Sequence, residues 1–248
     1  MSGGATTETR QAPLKPGDRA PDFTLPAADR EGTVSLADYR GRTPLLLGLF
    51  RGTYCPFCRR AIIRMGQAWQ RLRGENVEAL AVVATAAENA RFYFRFRPPM
   101  FPVAADPDFV THRLYGVPAP LRADIADTFR TTRINPSGEL PTSLPIPEAS
   151  ASLSRLEGFE PTSTDRDDAA RPFLQFLGQF LVDREGIIRW TNIECAREVS
   201  PGSGGSRPTR SYSLQCVRSP RDERARPSTE GLRRGARLHR SAYPAAEL

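Results

Sequence analysis

The sequence lacks an apolar run long enough to cross a membrane. Its longest apolar stretches are PLLLGLF at 44–50 and ALAVVATAA at 79–87, whereas a membrane-spanning helix needs about 20 apolar residues. The first 15 residues are small and polar and contain no apolar core of the kind that a secretory signal peptide has. We therefore expect a cytoplasmic protein without a membrane partner, whose cysteines rest as thiols.

Histidine and cysteine are also scarce, which limits metal binding. The chain has two histidines and four cysteines, namely His112, His239, Cys55, Cys58, Cys195 and Cys216. Only Cys55 and Cys58 are close together, and the others do not have the spacing of metal-ligand pairs. The sequence therefore predicts no metal site, and we expect no cofactor.

Positive charge is concentrated at one end of the chain. The net charge is +7, and residues 201–248 contain ten arginines but four acidic residues. The first 200 residues contain 25 basic and 24 acidic side chains, whereas binding to a phosphate backbone requires a basic surface. We therefore expect no nucleic-acid partner for the folded part.

Apolar runs alternate with helical periodicities from Pro16 onward. Short apolar runs bounded by turn signals are typical of strands buried on both faces, and apolar residues at spacings of three and four indicate amphipathic helices. Strands that alternate with helices predict an α/β fold with a parallel or mixed sheet. Strands are expected at 20–25, 44–50, 77–85 and 101–106, helices at 55–74, 87–99 and 107–117, and a β-hairpin at 178–194.

Three segments differ from this pattern. Residues 1–15 are predicted to be a disordered lead-in to a domain at 16–199. Within that domain, residues 118–172 are rich in Pro, Ser and Thr, with one short helix expected around 125–130, which is typical of a functional lid or a flexible insertion. Residues 200–248 are rich in Arg, Ser and Pro and predict a disordered tail, which is either a genuine basic tail or the product of a frameshift.

The two close cysteines lie where a predicted buried strand ends and a predicted helix begins. Backbone N–H groups and the positive end of the helix dipole point at Cys55 there, and Arg51, Arg59 and Arg60 add positive charge nearby. Thiols in such positions have a pKa lowered from about 8.5 into the range of roughly 3.5 to 7.5. Cys58 lies one helical turn further along the same face, at a separation that suits a disulfide.

Three interpretations of the cysteine pair can be compared. A zinc site would need two further ligands, which the sequence does not offer at metal-binding spacing. Two inert core thiols would not be expected to begin a helix beside three arginines. A redox couple that cycles between dithiol and disulfide fits a Cys-x-x-Cys pair beside a strand–helix–strand pattern. We favour the redox couple.

A resemblance to a known family adds to this interpretation. The segment PGDRAPDFTLPAADREGTVSLADYRGRTPLLLGLFRGTYCPFCRR resembles the opening of the alkyl hydroperoxide reductase/thiol-specific antioxidant group of peroxiredoxins, in its redoxin-like branch. The segments FPVAADPDFVTHRLYGV and FLVDREGIIRW are similar to later elements of that group. The resemblance implies a thioredoxin-like fold, with a central sheet flanked by helices and the cysteine pair at the start of the first long helix.

The same resemblance implies a thiol-dependent peroxidase. In such an enzyme Cys55 reacts with a hydroperoxide to form a sulfenic acid, and Cys58 condenses with it to form a disulfide. An external thiol, such as thioredoxin or a low-molecular-weight thiol, then restores the dithiol, and a homodimer is one assembly that the resemblance allows. Arg51, together with Gly52 and Thr53 of the same loop, is expected to bind the substrate.

The sequence departs from the family pattern at several positions. Gly52 and Gly48 stand where typical peroxiredoxins have a peroxide-binding threonine or serine and a proline, which leaves open whether Thr53 takes over. Leu177 and Gly178 stand where the family arginine is expected, and Gly178 also occupies the place of the cis-proline of thioredoxins. A thioredoxin-like thiol–disulfide oxidoreductase is therefore a second hypothesis, and a non-catalytic binding or regulatory domain is a third.

Other candidate residues are given structural roles. His112 is expected to be a partly exposed surface histidine. Cys195 is expected to be a buried or idle thiol, with a distant resolving thiol as the alternative. In the helix at 87–99, arginines extend into solvent while three aromatic residues are expected to pack inward, namely Phe92, Tyr93 and Phe96.

Overall fold

The structure is a computed structural model that describes residues 12–136 and 138–194. Most of the predicted lead-in, the predicted tail, Cys195, Cys216 and His239 lie outside the described residues. The strands are β1 (Thr24–Pro26), β2 (Thr33–Ser35), β3 (Leu45–Phe50), β4 (Glu78–Val83), β5 (Val103–Ala105), β6 (Arg133–Ile134), β7 (Leu144–Pro145), β8 (Gly178–Val182) and β9 (Ile188–Ile193).

Helices follow or separate these strands. They are α1 (Pro56–Leu72), α2 (Ala87–Phe96), α3 (Val110–Leu114), α4 (Arg122–Thr131), α5 (Ile146–Leu156) and α6 (Ser163–Ala169). In the part of the chain that the structure describes, no helix is both long enough and apolar enough to span a bilayer.

Five strands form a central mixed sheet in the order β5-β4-β3-β8-β9. β3, β4 and β5 run parallel, so the connections between them cross over through α1 and α2. β8 is antiparallel to both β3 and β9, and the β8–β9 hairpin places Gly178 opposite Ile193. The predicted α/β fold is confirmed: it is thioredoxin-like, with a mixed central sheet flanked by helices.

Strand β3 leads to the cysteine pair and is buried on both faces, as predicted. All six of its residues are buried. Leu45, Leu47 and Leu49 belong to the core on one face of the sheet, while Leu46 and Phe50 belong to the core on the other face, where α1 packs. This alternation follows from the two-residue repeat of a strand. It anchors the end of β3, and therefore the start of the following loop, in the middle of the sheet.

The inserted segment at 118–172 contains more regular structure than its sequence predicts. α4 covers the helix expected around 125–130, but α5 and α6 are additional. α6 carries one apolar residue, Ala169, and begins with a capping box between Thr162 and Asp165. Apolar periodicity cannot detect such a helix. Because α5 and α6 are present in addition to α4, the prediction of a single short helix is wrong. The segment also has a small core of its own, formed by Ile134, Leu140, Ile146, Ala149 and Leu153.

The inward face of α2 differs from the expected one. Phe94 and Ala90 are buried against the sheet, whereas Phe92 and Phe96 are exposed and contact each other edge to face. Ala90 and Phe94 are four residues apart and share a helix face. The expectation that Phe92 and Phe96 pack inward is therefore wrong.

His112 is buried rather than partly exposed, so that expectation is also wrong. Its ring contacts Phe109 edge to face, and its Nδ1 lies 3.9 Å from an oxygen of Asp106. Burial lowers the pKa of His112, although Asp106 acts in the opposite direction. His112 follows Thr111 in a short helix, and the sequence carries no signal that the helix is covered on that side.

Candidate functional site

Cys55 lies at the N-terminus of α1, directly after the loop that follows β3. It is the N-cap residue with an extended backbone, and Pro56 begins the helix, where a missing N–H group costs nothing. Cys58 lies one turn further along the helix. Both cysteines are free thiols, with Cys55 4% exposed and Cys58 fully buried.

Hydrogen bonds join the two cysteines and set their ionisation. Burial by itself raises the pKa of Cys55, but hydrogen bonds from the thiol and backbone N–H of Cys58, together with the charge of Arg51, outweigh burial and lower that pKa to about 6. Burial and the neighbouring Cys55 sulfur raise the pKa of Cys58 well above its usual range. At neutral pH the pair therefore consists of a thiolate at Cys55 and a thiol at Cys58.

Glu194 fixes the guanidinium of Arg51 near this thiolate. Arg51 is buried, and its Nη2 donates a hydrogen bond to the Glu194 carboxylate. The same carboxylate oxygen accepts the N–H of Leu177 at 3.1 Å, and the N–H of Glu194 donates to the Leu177 carbonyl at 3.0 Å. Glu194 therefore ties the end of the β8–β9 hairpin to the residues before Cys55. Its own negative charge acts against Arg51 and raises the pKa of Cys55.

Gly52 shapes the cysteine loop, which we define as residues 51–55. Its φ of +129° lies in the region that favours glycine. A Cβ at this position would lie 3.2 Å from the ring of Tyr54 and 3.3 Å from the carbonyl oxygen of Ala84. The Gly52 carbonyl accepts the N–H of Cys55 at 3.4 Å. Gly52 thus allows the turn that presents Cys55, and it has no side chain to offer to a substrate.

Thr53 is buried, and its hydroxyl is bonded away from the cysteines. The hydroxyl donates to Oδ1 of Asp165 at 2.6 Å and accepts from Nδ2 of Asn89 at 3.1 Å. A hydroxyl has one hydrogen to donate, and Asp165 takes it. A hydrogen bond from Thr53 to a substrate would therefore require Thr53 to leave Asp165.

Arg59 and Arg60 bind the inserted segment. Both donate to the carboxylate of Glu157, and Arg60 also pairs with Glu139. These carboxylates offset the charge that the sequence predicts to act on the thiolate. That expectation is corrected: the charge of Arg51 lowers the pKa of Cys55, whereas Arg59 and Arg60 attach the inserted segment to the first turn of α1.

Gly48 and Gly178, which depart from the family pattern given above, are packed too closely for a side chain. A Cβ at Gly48 would lie 2.5 Å from the ring of Phe50 and 2.7 Å from the sulfur of Met65. A Cβ at Gly178 would lie 2.8 Å from Cγ2 of Val117. These departures from the family pattern are therefore part of the packing of β3 and β8, on which the position of the cysteine loop depends.

The sequence did not predict the residues of other elements that hold the cysteine loop and α1 in place. The predicted hairpin could have indicated Glu194, because its register places Leu177 opposite Glu194 at the edge of the sheet where the cysteine loop begins. Asp165 and Glu157 lie in the inserted segment, within or directly after helices that were not predicted. Their contacts with the cysteine loop and α1 could be found only from the structure.

The arrangement is suited to nucleophilic sulfur chemistry. A thiolate with a lowered pKa attacks electrophilic oxygen or sulfur atoms, and a second thiol within hydrogen-bonding reach can then form a disulfide. Within residues 12–136 and 138–194, no three His, Cys, Asp or Glu side chains cluster as metal ligands do.

Comparison with known proteins yields one family and one group of curated relatives. The model of the AhpC/TSA family matches residues 16–140. A Mycobacterium tuberculosis protein named "Putative peroxiredoxin Rv2521" is 34% identical over 103 residues. That alignment covers 40% of this chain and 62% of the relative, so the chain spans less than two thirds of the length of the curated relative.

Two solved structures illustrate the similarity of fold. "Peroxidoxin BcpB" from Mycobacterium tuberculosis has a TM-score of 0.46 and 12% identity, over 73% of this chain and 86% of that chain. A "putative Thiol:disulfide interchange protein DsbE" from Chlorobium tepidum has a TM-score of 0.41 and 21% identity, also over 73% of this chain and 86% of that chain.

Proposed function

Because the chain belongs to the AhpC/TSA family, we propose that it is a thiol-dependent peroxidase that reduces hydroperoxides at Cys55. The observation that carries the proposal is the position of Cys55 at the N-terminus of α1, beside Cys58 and the buried Arg51, which together lower the pKa of Cys55 to about 6. The thiolate, and not the thiol, is the nucleophile in such reactions. Family membership supports a thiol-dependent oxidoreductase, and the hydroperoxide substrate is our specific proposal.

In the first step, the sulfur of Cys55 attacks the terminal oxygen of the hydroperoxide. An S–O bond forms while the O–O bond breaks, so the sulfur is oxidised to a sulfenic acid and the other oxygen leaves as an alkoxide. Arg51 and the backbone N–H groups at the start of α1 stabilise the developing negative charge. The thiol of Cys58, which already donates a hydrogen bond to Cys55, supplies the proton that converts the alkoxide to an alcohol.

In the second step, the thiolate that this proton transfer leaves at Cys58 attacks the sulfenic sulfur of Cys55. The S–S bond forms, the S–O bond breaks, and the hydroxide that leaves takes up a proton to become water. The two residues are one helical turn apart, which is within the usual range of disulfide geometry. One molecule of a dithiol such as thioredoxin, or two molecules of a low-molecular-weight thiol, then supply two electrons that reduce this disulfide and are themselves oxidised to a disulfide.

A direct test mixes the reduced, full-length protein with hydrogen peroxide and identifies the products by mass spectrometry. We expect a disulfide between Cys55 and Cys58 in the unchanged protein, and a trapped sulfenic acid at Cys55 in the Cys58→Ser variant. The Cys55→Ser variant serves as the control for oxidation elsewhere in the chain. Absence of both products at Cys55 would refute the proposal.

One observation favours thiol–disulfide exchange as a second candidate. Gly52 has no side chain, and the only hydroxyl hydrogen of Thr53 is bound by Asp165, so neither residue offers a hydroxyl to a peroxide. Turnover of insulin disulfides that is faster than turnover of hydrogen peroxide would support exchange as the main activity. If the protein catalysed neither reaction, the third hypothesis, a non-catalytic binding domain, would be favoured.

A further inference from the structure

The inserted segment contacts the cysteine loop through α6, which lies outside the residues that the family model matches. The match ends at residue 140, whereas α6 covers Ser163–Ala169. Asp165 of this helix is 3% exposed, and its Oδ1 accepts the hydroxyl of Thr53, two residues before Cys55. A buried carboxylate is thus directed at the loop that presents the nucleophile.

We propose that Asp165 is a positioning residue for Cys55 and acts by holding Thr53 in place. This inference rests on the proposed function, because it assigns a role in presenting the reactive sulfur. Asp165 touches neither cysteine in its hydrogen bonding; it acts through the backbone of the cysteine loop. The activity of a site within the family-matched residues would then depend on a helix supplied by the inserted segment.

The hydrogen bonds of Asp165 require a carboxylate. Oδ1 accepts from the Thr53 hydroxyl at 2.6 Å and from Nδ2 of Asn89 at 3.0 Å, while Oδ2 accepts the N–H of Thr162 at 3.0 Å. A carboxylate accepts on both oxygens, whereas an amide must donate on one side. An asparagine at this position would direct its NH₂ group either at Nδ2 of Asn89 or at the N–H of Thr162, both of which are donors. In the first orientation the Thr53 hydroxyl also loses the oxygen to which it donates. Loss of an acceptor at a buried donor is costly.

The inserted segment also holds the backbone of Thr53, indirectly, through Arg59 of α1. Nη1 of Arg59 donates to the Thr53 carbonyl at 2.6 Å. Arg59 is itself fixed by the Glu157 carboxylate, and its guanidinium lies over the ring of Phe159 at 3.8 Å from the centroid. Thr53 is therefore held at its side chain by α6 and at its carbonyl through residues that follow α5. This double attachment leaves the cysteine loop little freedom to rotate the sulfur away from Arg51.

The sign of the change in the pKa of Cys55 distinguishes a positioning role of Asp165 from a direct electrostatic effect of its charge. Removing a negative charge near a thiol favours the thiolate and lowers the pKa of that thiol. Releasing the cysteine loop has the opposite effect, because the sulfur of Cys55 loses its alignment with Arg51 and with the donors of Cys58. A rise in the pKa of Cys55 after neutralisation of Asp165 therefore has no electrostatic explanation.

Asp168 provides a matched control on the same helix. It is 4% exposed, and its Oδ2 accepts the Thr85 hydroxyl at 2.6 Å, while its Oδ1 accepts from Arg171. Asp165→Asn and Asp168→Asn are thus the same substitution at equally buried positions, each replacing a carboxylate that accepts a threonine hydroxyl. Only the Asp165 variant alters a bond to the cysteine loop.

The experiment measures the pH dependence of iodoacetamide alkylation at Cys55 in the full-length protein, with the modified residue identified by mass spectrometry. For Asp165→Asn we expect the pKa of Cys55 to rise by about one unit, which at pH 6 reduces the thiolate fraction about fivefold. For Asp168→Asn we expect less than half of that shift. Equal shifts in the two variants, or a fall in the Asp165 variant, would overturn the inference.

Thermal unfolding of each variant shows whether it is folded before alkylation is measured. If Asp165→Asn does not fold, Thr53→Val and Thr85→Val form a second matched pair, because each removes a buried hydroxyl that donates to a carboxylate of α6, Thr53 to Asp165 and Thr85 to Asp168. The inference then requires a rise in the pKa of Cys55 for Thr53→Val alone, and equal shifts in the two variants would contradict it. In either case, a reactive Cys55 in the unchanged protein leaves the proposed function standing, so the two failures are distinguishable.

Discussion

Arg51 and Glu194 are 143 residues apart in the sequence and form an ion pair at the edge of the cysteine loop. The pair joins the loop after β3 to the end of β9, across the antiparallel strand β8. Because the two charges act on Cys55 with opposite signs, Glu194 reduces the benefit of Arg51 while it fixes where Arg51 lies. Substitutions that separate these two effects should shift the pKa of Cys55 in opposite directions.

Two variants of Glu194 test this relationship. Glu194→Gln keeps an acceptor for Arg51 and removes a negative charge, so we expect the pKa of Cys55 to fall below about 6. Glu194→Ala releases Arg51, so we expect that pKa to rise by about one unit. Alkylation of Cys55 as a function of pH measures both values. Shifts of the same sign in the two variants would show that Glu194 does not hold Arg51 in place.

Cys58 is expected to stabilise the Cys55 thiolate as a hydrogen-bond donor, in addition to forming the disulfide. Cys58→Ser keeps a donor, whereas Cys58→Ala removes it and leaves the small cavity of a missing sulfur. We therefore expect the pKa of Cys55 to stay near 6 in the serine variant and to rise by about one unit in the alanine variant. Titration of the thiolate by its ultraviolet absorbance distinguishes the two. An unchanged pKa of Cys55 in the alanine variant would show that Cys58 does not stabilise the Cys55 thiolate.

Gly48 is expected to be a structural requirement of β3. Gly48→Ala would place a Cβ 2.5 Å from the ring of Phe50 and 2.7 Å from the sulfur of Met65, so we expect the free energy of unfolding to fall by about 1–3 kcal/mol. Gly74→Ala is the matched control, because no atom lies within 4 Å of its added Cβ, and we expect a change within about 0.5 kcal/mol. Urea denaturation measures both. Equal free energies of unfolding for the Gly48→Ala and Gly74→Ala variants would contradict the steric role of Gly48.

The sequence predicted the elements whose signal is local. β3 is a continuous apolar run and is buried on both faces, and α1 begins at the proline after Cys55 and has its apolar residues at helical spacing. Local chemistry also indicated that a thiol at a helix start, preceded by Arg51, would have a lowered pKa, which is the direction that the structure gives.

The parts of the site that sequence reasoning missed depend on polar contacts between distant segments. α6 has no apolar face and is held by the bonds of Asp165 to Thr53 and Asn89, so hydrophobic periodicity carries no information about it. Position alone assigns the charges of Arg59 and Arg60 to the thiolate, because their partners lie 98 and 79 positions away and cannot be recognised from spacing. Asp165 does have a local signature, because it forms a capping box with Thr162 at the start of α6, but that signature gives no indication of its contact with Thr53.

The measurement that tests the central claim most directly is the pH titration of the Cys55 thiolate in the full-length, reduced protein, followed by ultraviolet absorbance and corrected with the Cys55→Ser variant. The account predicts a transition at a pKa of about 6 that disappears in the variant, and a rate of reaction with hydrogen peroxide that rises with pH along the same curve. A transition near the value of an unperturbed cysteine, about 8.5, would contradict it.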